Sequence, residues 1–104
     1  MFATVRSYEG IDSSNIDELS KKVGESLAPK LSKLPGFSSY FLIDTGNGVM
    51  SSIGLFDTRA QADGSTRVAS EWVRDEKLEE ILKTPPKVTD GEVIFHKLNG
   101  AVKA

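Results

Sequence analysis

The sequence predicts one α+β domain with the element order βαββαβ, in which a four-stranded antiparallel sheet carries two main helices on one face. Three observations support this fold class. Apolar residues recur three and four apart over residues 16–34, two apolar runs flank the glycine-rich segment 45–48, and a second helical pattern begins at Thr58. The length of 104 residues is that of a single domain, so residues 1–104 are treated as one unit.

The first half of the chain predicts a strand followed by a long helix. Residues 2–9 mix β-branched and aromatic side chains and indicate the first strand. Residues 16–34 form the most regular helical pattern, and Asn15 with Glu18 resembles a capping box at its start. Pro29 lies inside this pattern, and a proline there removes a backbone hydrogen bond. We therefore expect a kink or a break at Pro29.

The second half predicts a hairpin, a helix and a last strand. Residues 37–44 and 49–57 are strands joined by the Thr-Gly-Asn-Gly segment 45–48, which is typical of a hairpin. Residues 58–74 are the second helix, and Thr58 with Gln61 predicts a capping box at its start. Residues 77–83 predict a further helical turn, and residues 92–98 the last strand.

Composition excludes several kinds of site. The chain has no cysteine, so disulfides, thiol catalysis and cysteine metal sites are excluded, and its single histidine excludes a multi-histidine metal site within one protomer. The net charge is −2 with interleaved signs, so no basic patch indicates nucleic-acid binding. No signal-peptide pattern or membrane-spanning run is present, and we expect a soluble, cytoplasmic protein with no cofactor, no metal, no nucleic-acid partner and no membrane partner.

Several strands carry apolar residues on both faces. A sheet with helices on one side and water on the other alternates apolar and polar residues. The runs at 41–43, 55–56 and 93–95 break this alternation. We therefore expect the sheet face opposite the helices to be covered by a second copy of the chain, giving a homodimer. Serines at positions 38, 39, 51 and 52 leave a second interpretation open, in which a few apolar residues are simply exposed.

The element order, the length, the Leu-Pro-Gly-Phe junction at 34–37 and the helix segment 65–74 resemble the dimeric α+β barrel superfamily, with its ferredoxin-like protomers. The best-known branch of this superfamily is the antibiotic biosynthesis monooxygenase-like domains, and the sequence is most similar to an uncharacterised bacterial group of about this size. The resemblance implies a pocket between sheet and helices, and a dimer joined sheet to sheet. It does not extend to the haem-degrading branch, because the Asn-Trp-His arrangement of that branch is missing here.

Three residues are candidates for catalysis. His96 is the first candidate for a general base, because an unperturbed histidine titrates near neutrality; the alternative is a partly exposed residue on an edge strand. Tyr40 offers a hydroxyl from an apolar wall, or is an ordinary strand aromatic. Arg6 lies in the middle of the first strand, where it either pairs with a carboxylate or an anionic ligand or lies on an exposed face.

Three aromatic residues are candidates for ligand binding: Tyr8, Phe56 and Trp72. Trp72 either stacks on an aromatic ligand or anchors the second helix. The resemblance implies a cofactor-independent, monooxygenase-like enzyme acting on a small aromatic or polyketide-like compound. The alternative is a non-catalytic module of the same fold that binds a small hydrophobic or aromatic molecule, and the sequence does not decide whether the protein is an enzyme. An RNA-binding role is disfavoured because residues 48–53 lack the basic and aromatic residues that such a domain needs.

Overall fold

A computed structural model describes residues 1–97 of the chain. Four strands and three helices form the framework: β1 (Phe2–Tyr8), α1 (Ile16–Lys22), α2 (Ala28–Ser32), β2 (Phe37–Gly46), β3 (Val49–Phe56), α3 (Arg59–Asp75) and β4 (Lys87–Glu92). A π-helical segment (Val23–Leu27) joins α1 to α2, and 3₁₀ turns occupy Ser13–Asn15 and Leu78–Glu80. The strand order is β2-β3-β1-β4, and every neighbouring pair is antiparallel. The predicted fold class is confirmed.

The first helical run contains the expected irregularity, one turn before Pro29. The Ala28 N–H donates to the Val23 carbonyl five residues earlier, which is the hydrogen-bond pattern of a π-helix. Pro29 follows directly in the first turn of α2, so the wider π-helical turn lies where the proline ring and its missing N–H disturb the helical hydrogen bonds. The predicted cap at Asn15 is wrong in detail, because its side chain makes no capping hydrogen bond. The chain enters α1 through the 3₁₀ turn instead, where the Ser14 N–H donates to the Asp12 carboxylate over 2.9 Å.

The hairpin and the start of α3 follow their local sequence signals. Gly46, Asn47 and Gly48 all have positive φ, which glycine and asparagine adopt most easily. At the start of α3 the Gln61 N–H donates to the Thr58 hydroxyl, and the Gln61 side chain accepts from the Thr58 N–H. The predicted capping box is therefore confirmed.

The predicted position of the last strand is wrong. The strand that pairs with β1 is β4 at Lys87–Glu92, and the pairing ends with the Val93 N–H donating to the Met1 carbonyl over 2.8 Å. β4 is an edge strand with mostly exposed side chains, so the polar residues that disfavoured it in the sequence are physically acceptable there. The apolar run that suggested a strand lies beyond the sheet, with Ile94 and Phe95 exposed, and Leu98 lies outside the described residues.

The sheet face opposite the helices carries an apolar row. Phe41 pairs with Ile53, and Ile53 pairs with Val5 on the next strand, so the three side chains cross β2, β3 and β1 side by side. Phe41 and Ile43 on the edge strand β2 are 52% and 41% exposed. We call this surface the outer face. Its apolar character, predicted from the lack of alternation in β2 and β3, is present in the protomer.

Candidate functional site

The pleat of β1 and β3 positions the polar residues of the candidate site. Side chains alternate between the two faces of a strand, so Thr4, Arg6 and Tyr8 on β1 all point toward the helices. On β3 the residue paired with Arg6 is Ser52, which points to the same side. Two polar residues that are each 2% exposed therefore lie next to each other between the sheet and the helices.

A small cavity lies at this point, and we call it the central cavity. The sheet contributes Arg6, Tyr8, Tyr40 and Ser52, and α3 contributes Trp72; the remaining wall is apolar, from α1, the π-helical segment and neighbouring residues. Its volume is about 30 Å³. A buried water needs about 10–15 Å³, so the cavity has room for roughly two waters or for one small functional group.

Arg6 is the most unusual residue of the central cavity. Its Nη1 donates to the Thr66 hydroxyl over 3.3 Å, while its Nε has no hydrogen-bond partner among residues 1–97. No carboxylate of these residues pairs with it, since the ion pair found there joins Lys22 and Glu76 at the surface. The Ser52 hydroxyl is also buried and has no hydrogen-bond partner within 3.5 Å in this part of the chain, although it lies close enough to the Tyr40 hydroxyl to lower the pKa of that group. The sequence-based interpretation of Arg6 as an exposed strand residue is therefore wrong, and an unpaired buried cation remains to be explained.

Tyr40 lies beside this cation. Burial raises the pKa of the Tyr40 hydroxyl above its ordinary value, and the positive charge of Arg6 opposes the shift without cancelling it. The hydroxyl is therefore protonated at neutral pH. In that state it can donate a hydrogen bond to a ligand oxygen in the cavity.

Trp72 anchors α3 and also lines the central cavity. Its indole N–H donates to the Ser26 hydroxyl over 2.9 Å, which ties α3 to the π-helical segment. The ring is 3% exposed and also lines the central cavity. The tryptophan thus anchors the helix through its polar edge and presents an apolar surface to the cavity.

Two of the predicted site residues lie elsewhere. Phe56 is fully buried and packs edge to face on Phe37, with ring centroids 5.7 Å apart, in the core and not against the central cavity. His96 is exposed and follows the end of β4, away from the residues that line the cavity. The structure therefore brings together Arg6, Tyr8, Tyr40 and Trp72, which the sequence could name but could not connect.

Ser52 and Thr66 were missed by sequence reasoning. Both are small hydroxyl residues of ordinary type, and no local motif marks them. Ser52 belongs to the site because the register pairs it with Arg6, and Thr66 because α3 crosses β1 where its hydroxyl reaches both Thr4 and Arg6. The one available sequence signal was the alternate positions 50, 52, 54 and 56 of the predicted strand, where Ser52 is the polar residue on the face that carries Met50 and Phe56.

Two open grooves adjoin the central cavity. The first, which we call the Tyr8 groove, lies between Tyr8 and Pro85-Pro86 and has a volume of about 280 Å³. Tyr8, Val73 and Leu82 line both this groove and the central cavity, so they separate the two spaces. The second, the Tyr40 groove, lies between α2 and β2 and shares Tyr40 with the cavity. A rearrangement of these few side chains would connect the cavity to either groove.

The described residues offer little for a metal or a membrane. Residues 1–97 contain no cluster of three histidine or acidic side chains arranged to hold a metal ion. No helix in the same range is long and apolar enough to cross a membrane.

The fold was compared with solved structures. The NE2512 protein of unknown function from Nitrosomonas europaea has a TM-score of 0.74 and 17% identity, covering 95% of this chain and 94% of that one. A monooxygenase from the gene ActVA-Orf6 of Streptomyces coelicolor, in complex with nanaomycin D, has a TM-score of 0.72 and 14% identity, covering 95% and 92%. This chain has the fold of the antibiotic biosynthesis monooxygenase-like proteins. A dimeric ferredoxin-like protein from an uncultured marine organism has a TM-score of 0.67 and 14% identity, covering 94% and 98%. No protein-family model and no curated protein matches the sequence.

Proposed function

We propose that the protein is a cofactor-independent, monooxygenase-like enzyme that acts on a small aromatic or polyketide-like compound at the central cavity. The observation that carries this proposal is the position of Arg6, Tyr8, Tyr40 and Trp72, which line one cavity between sheet and helices. The Streptomyces coelicolor monooxygenase shares the fold at 14% identity, so the reaction class is taken from that neighbour by analogy of fold.

The cavity is too small for a whole aromatic ring, so the substrate must occupy more than this space. Ligand pockets usually measure about 300–1,000 Å³. The Tyr8 groove, at about 280 Å³, is close to that size and adjoins the cavity. The ring would therefore lie against Tyr8 in the groove, with its oxygen reaching the cavity. There the protonated Tyr40 hydroxyl donates a hydrogen bond to that oxygen.

A suitable reaction needs no cofactor to balance. With 1-naphthol as substrate, dioxygen forms a bond to the ring carbon para to the oxygen, and the O–O bond then breaks. One oxygen atom stays on the ring and the other leaves as water, giving 1,4-naphthoquinone. The ring supplies all four electrons that reduce dioxygen, so the products are one quinone and one water.

The test is protein-dependent oxygen uptake with 1-naphthol, with the quinone identified by chromatography. We expect Tyr40→Phe to lower the rate by about tenfold or more, because a hydrogen-bond donor aimed at developing charge is typically worth at least that much. His96→Gln is the matched control, and we expect no change since His96 lies outside the cavity. Equal rates in the wild type and Tyr40→Phe would contradict the assignment.

The small cavity favours a second function, a non-catalytic module that binds a small hydrophobic or aromatic molecule. Nanaomycin D distinguishes the two functions, because Trp72 is the only tryptophan and its fluorescence reports on the cavity. A change in fluorescence without oxygen uptake would assign the binding module. No change with this ligand or with 1-naphthol, together with no oxygen uptake, would overturn both functions.

We further propose that two copies associate through their outer faces. The apolar row at Phe41, Ile53 and Val5 is continuous across three strands, and the dimeric state of a ferredoxin-like neighbour supports a dimer for this fold. Native mass spectrometry would show twice the 11.3 kDa of one chain. A monomer at micromolar concentration would contradict the proposed dimer.

A further inference from the structure

Arg6 is a buried cation that the protomer does not neutralise. Arginine side chains stay charged at neutral pH, and charged residues are almost never fully buried unless they are paired. Arg6 is 2% exposed and its guanidinium makes a single neutral hydrogen bond, to Thr66. The missing counter-charge must therefore come from outside the set of carboxylates in residues 1–97.

The unused donors of this site face one space. The Arg6 Nε and the Ser52 hydroxyl both lack partners in the described part of the chain, and both residues line the central cavity. They project side by side from paired positions of β1 and β3. The protonated Tyr40 hydroxyl lines the same space, close to both Arg6 and Ser52, and offers a further donor. Three donors with a positive charge, and no acidic group on the cavity wall, constitute a site for an oxyanion.

The dimensions determine which part of a ligand enters. The central cavity of about 30 Å³ accepts a functional group and not a ring. The Tyr8 groove beyond Val73 and Leu82 has about 280 Å³ for the rest of the molecule, and Pro85 and Pro86 give it an apolar floor. A ligand with a compact charged end and a flat apolar body would fill both spaces once the shared side chains of Tyr8, Val73 and Leu82 rearrange to connect them.

We propose that the central cavity binds the oxyanion end, carboxylate or phenolate, of an aromatic ligand, with Arg6 as its charge partner and Ser52 as a second donor. The inference that the ligand is aromatic rests on the proposed function. The inference that the bound group is an anion is independent of it, because it follows from the charge of Arg6. The ligand is accordingly bound as an anion, and a neutral molecule of the same shape is rejected.

The experiment compares benzoate with benzamide, which has nearly the same shape and no charge. Trp72 fluorescence measures the affinity of the 104-residue chain for each compound in a buffer of low ionic strength. We expect benzoate to bind at least about tenfold more tightly, which is the effect of 1.4 kcal/mol. 4-Nitrophenol tests the phenolate arm, because only its ionised form absorbs visible light. We expect the protein to increase the ionised fraction at a fixed pH below neutrality.

Variants at Arg6 locate the effect. Arg6→Met is expected to remove the preference for benzoate and the effect on 4-nitrophenol, while Arg6→Lys retains part of both because it keeps the charge. A preference for benzoate alone, or for the phenolate alone, would identify which oxyanion the site takes. Equal binding of benzoate and benzamide to the wild type, or an undiminished preference in Arg6→Met, would overturn the proposal. Neither probe is a substrate for the oxygenation above, so a lack of oxygen uptake with 1-naphthol leaves this test unaffected.

Discussion

Replacing Arg6 by methionine should stabilise the protein, although it removes a fully buried side chain. Burying a charge costs several kcal/mol even after the surroundings relax, and here no carboxylate of residues 1–97 offsets that cost. The change also loses the hydrogen bond to Thr66, worth about 1.5 kcal/mol for a charged donor at this long distance of 3.3 Å. Thr66 is not left alone, because its hydroxyl lies 3.3 Å from that of Thr4. The expected net gain in the free energy of unfolding is about 1–3 kcal/mol.

Urea or thermal unfolding followed by circular dichroism measures this gain. Each kcal/mol corresponds to about 4–8 °C in Tm for a domain of this size. The two proteins must be compared at one protein concentration, since association shifts the apparent stability, and in a buffer with weakly binding anions, since a bound anion would stabilise the wild type. Arg67→Met is the matched control, because Arg67 is exposed on α3 and its replacement should change stability by less than about 0.5 kcal/mol.

One result would refute the reasoning. Suppose that Arg6→Met lowered the free energy of unfolding by more than about 1 kcal/mol while Arg67→Met left it unchanged. The Arg6 guanidinium would then have to be hydrogen-bonded by a group not seen in the protomer. The idea of an unpaired cation awaiting a ligand would then be wrong. A gain in stability together with a loss of benzoate binding would mean that the charge is retained for binding at the expense of stability.

Three further perturbations test other parts of the structure. Phe41→Glu should weaken the proposed dimer by at least about tenfold, because it buries an unpaired charge in the outer face; analytical ultracentrifugation measures this, and an unchanged dimer would place the interface elsewhere. Tyr40→Phe should reduce the loss of stability that the wild type shows above about pH 10. The pKa of Tyr40 is raised in the folded state, so the folded chain keeps this proton to a higher pH than the unfolded chain does. The resulting contribution to stability is fully present below about pH 10 and declines as the pH rises through the raised pKa. Unfolding curves at several alkaline pH values would show identical slopes for both proteins if this were wrong. Gly48→Ala should lower the free energy of unfolding by more than Gly46→Ala does. At Gly46 the only penalty is the strain of a positive φ, about 1 kcal/mol, whereas a Cβ at Gly48 would also lie 2.6 Å from the Ile11 carbonyl oxygen. Equal losses in urea unfolding would mean that this backbone contact relaxes freely.

The outer face and the central cavity lie on opposite sides of the same strands, β1 and β3. Most positions on β1 and β3 that point away from the helices are apolar and partly exposed, with Ser7 and Ser51 as the exceptions, while positions that point toward the helices include the buried polar residues Thr4, Arg6 and Ser52. The core as a whole is apolar, so these buried polar groups and the exposed apolar row are local departures from the usual pattern. It is consistent with a sheet that has one face available for association and the other around a binding site.

Local sequence determined most of the secondary structure, because each signal acts over a few residues. The apolar spacing from Ile16 onward, the Gly-Asn-Gly turn and the Thr58–Gln61 capping box each specify hydrogen bonds between near neighbours, and all were predicted with bounds close to those observed. The last strand was misplaced because β4 obtains its stability from pairing with β1, and an edge strand needs no apolar pattern of its own. Only the tertiary structure could reveal that pairing.

The same distinction applies to the site. The sequence named Arg6, Tyr8, Tyr40 and Trp72 as chemically capable residues, because residue type alone indicates a charge, a hydroxyl or an indole. It could not separate them from His96 and Phe56, and it gave no reason to consider Ser52. Which of these side chains share a cavity depends on strand register and on where α3 crosses the sheet, and both are set by packing between residues far apart in the chain. The type of a single residue therefore indicates its chemical capability, whereas long-range strand pairing decides which residues lie together. A one-residue shift in register would turn Arg6 and Ser52 to opposite faces of the sheet.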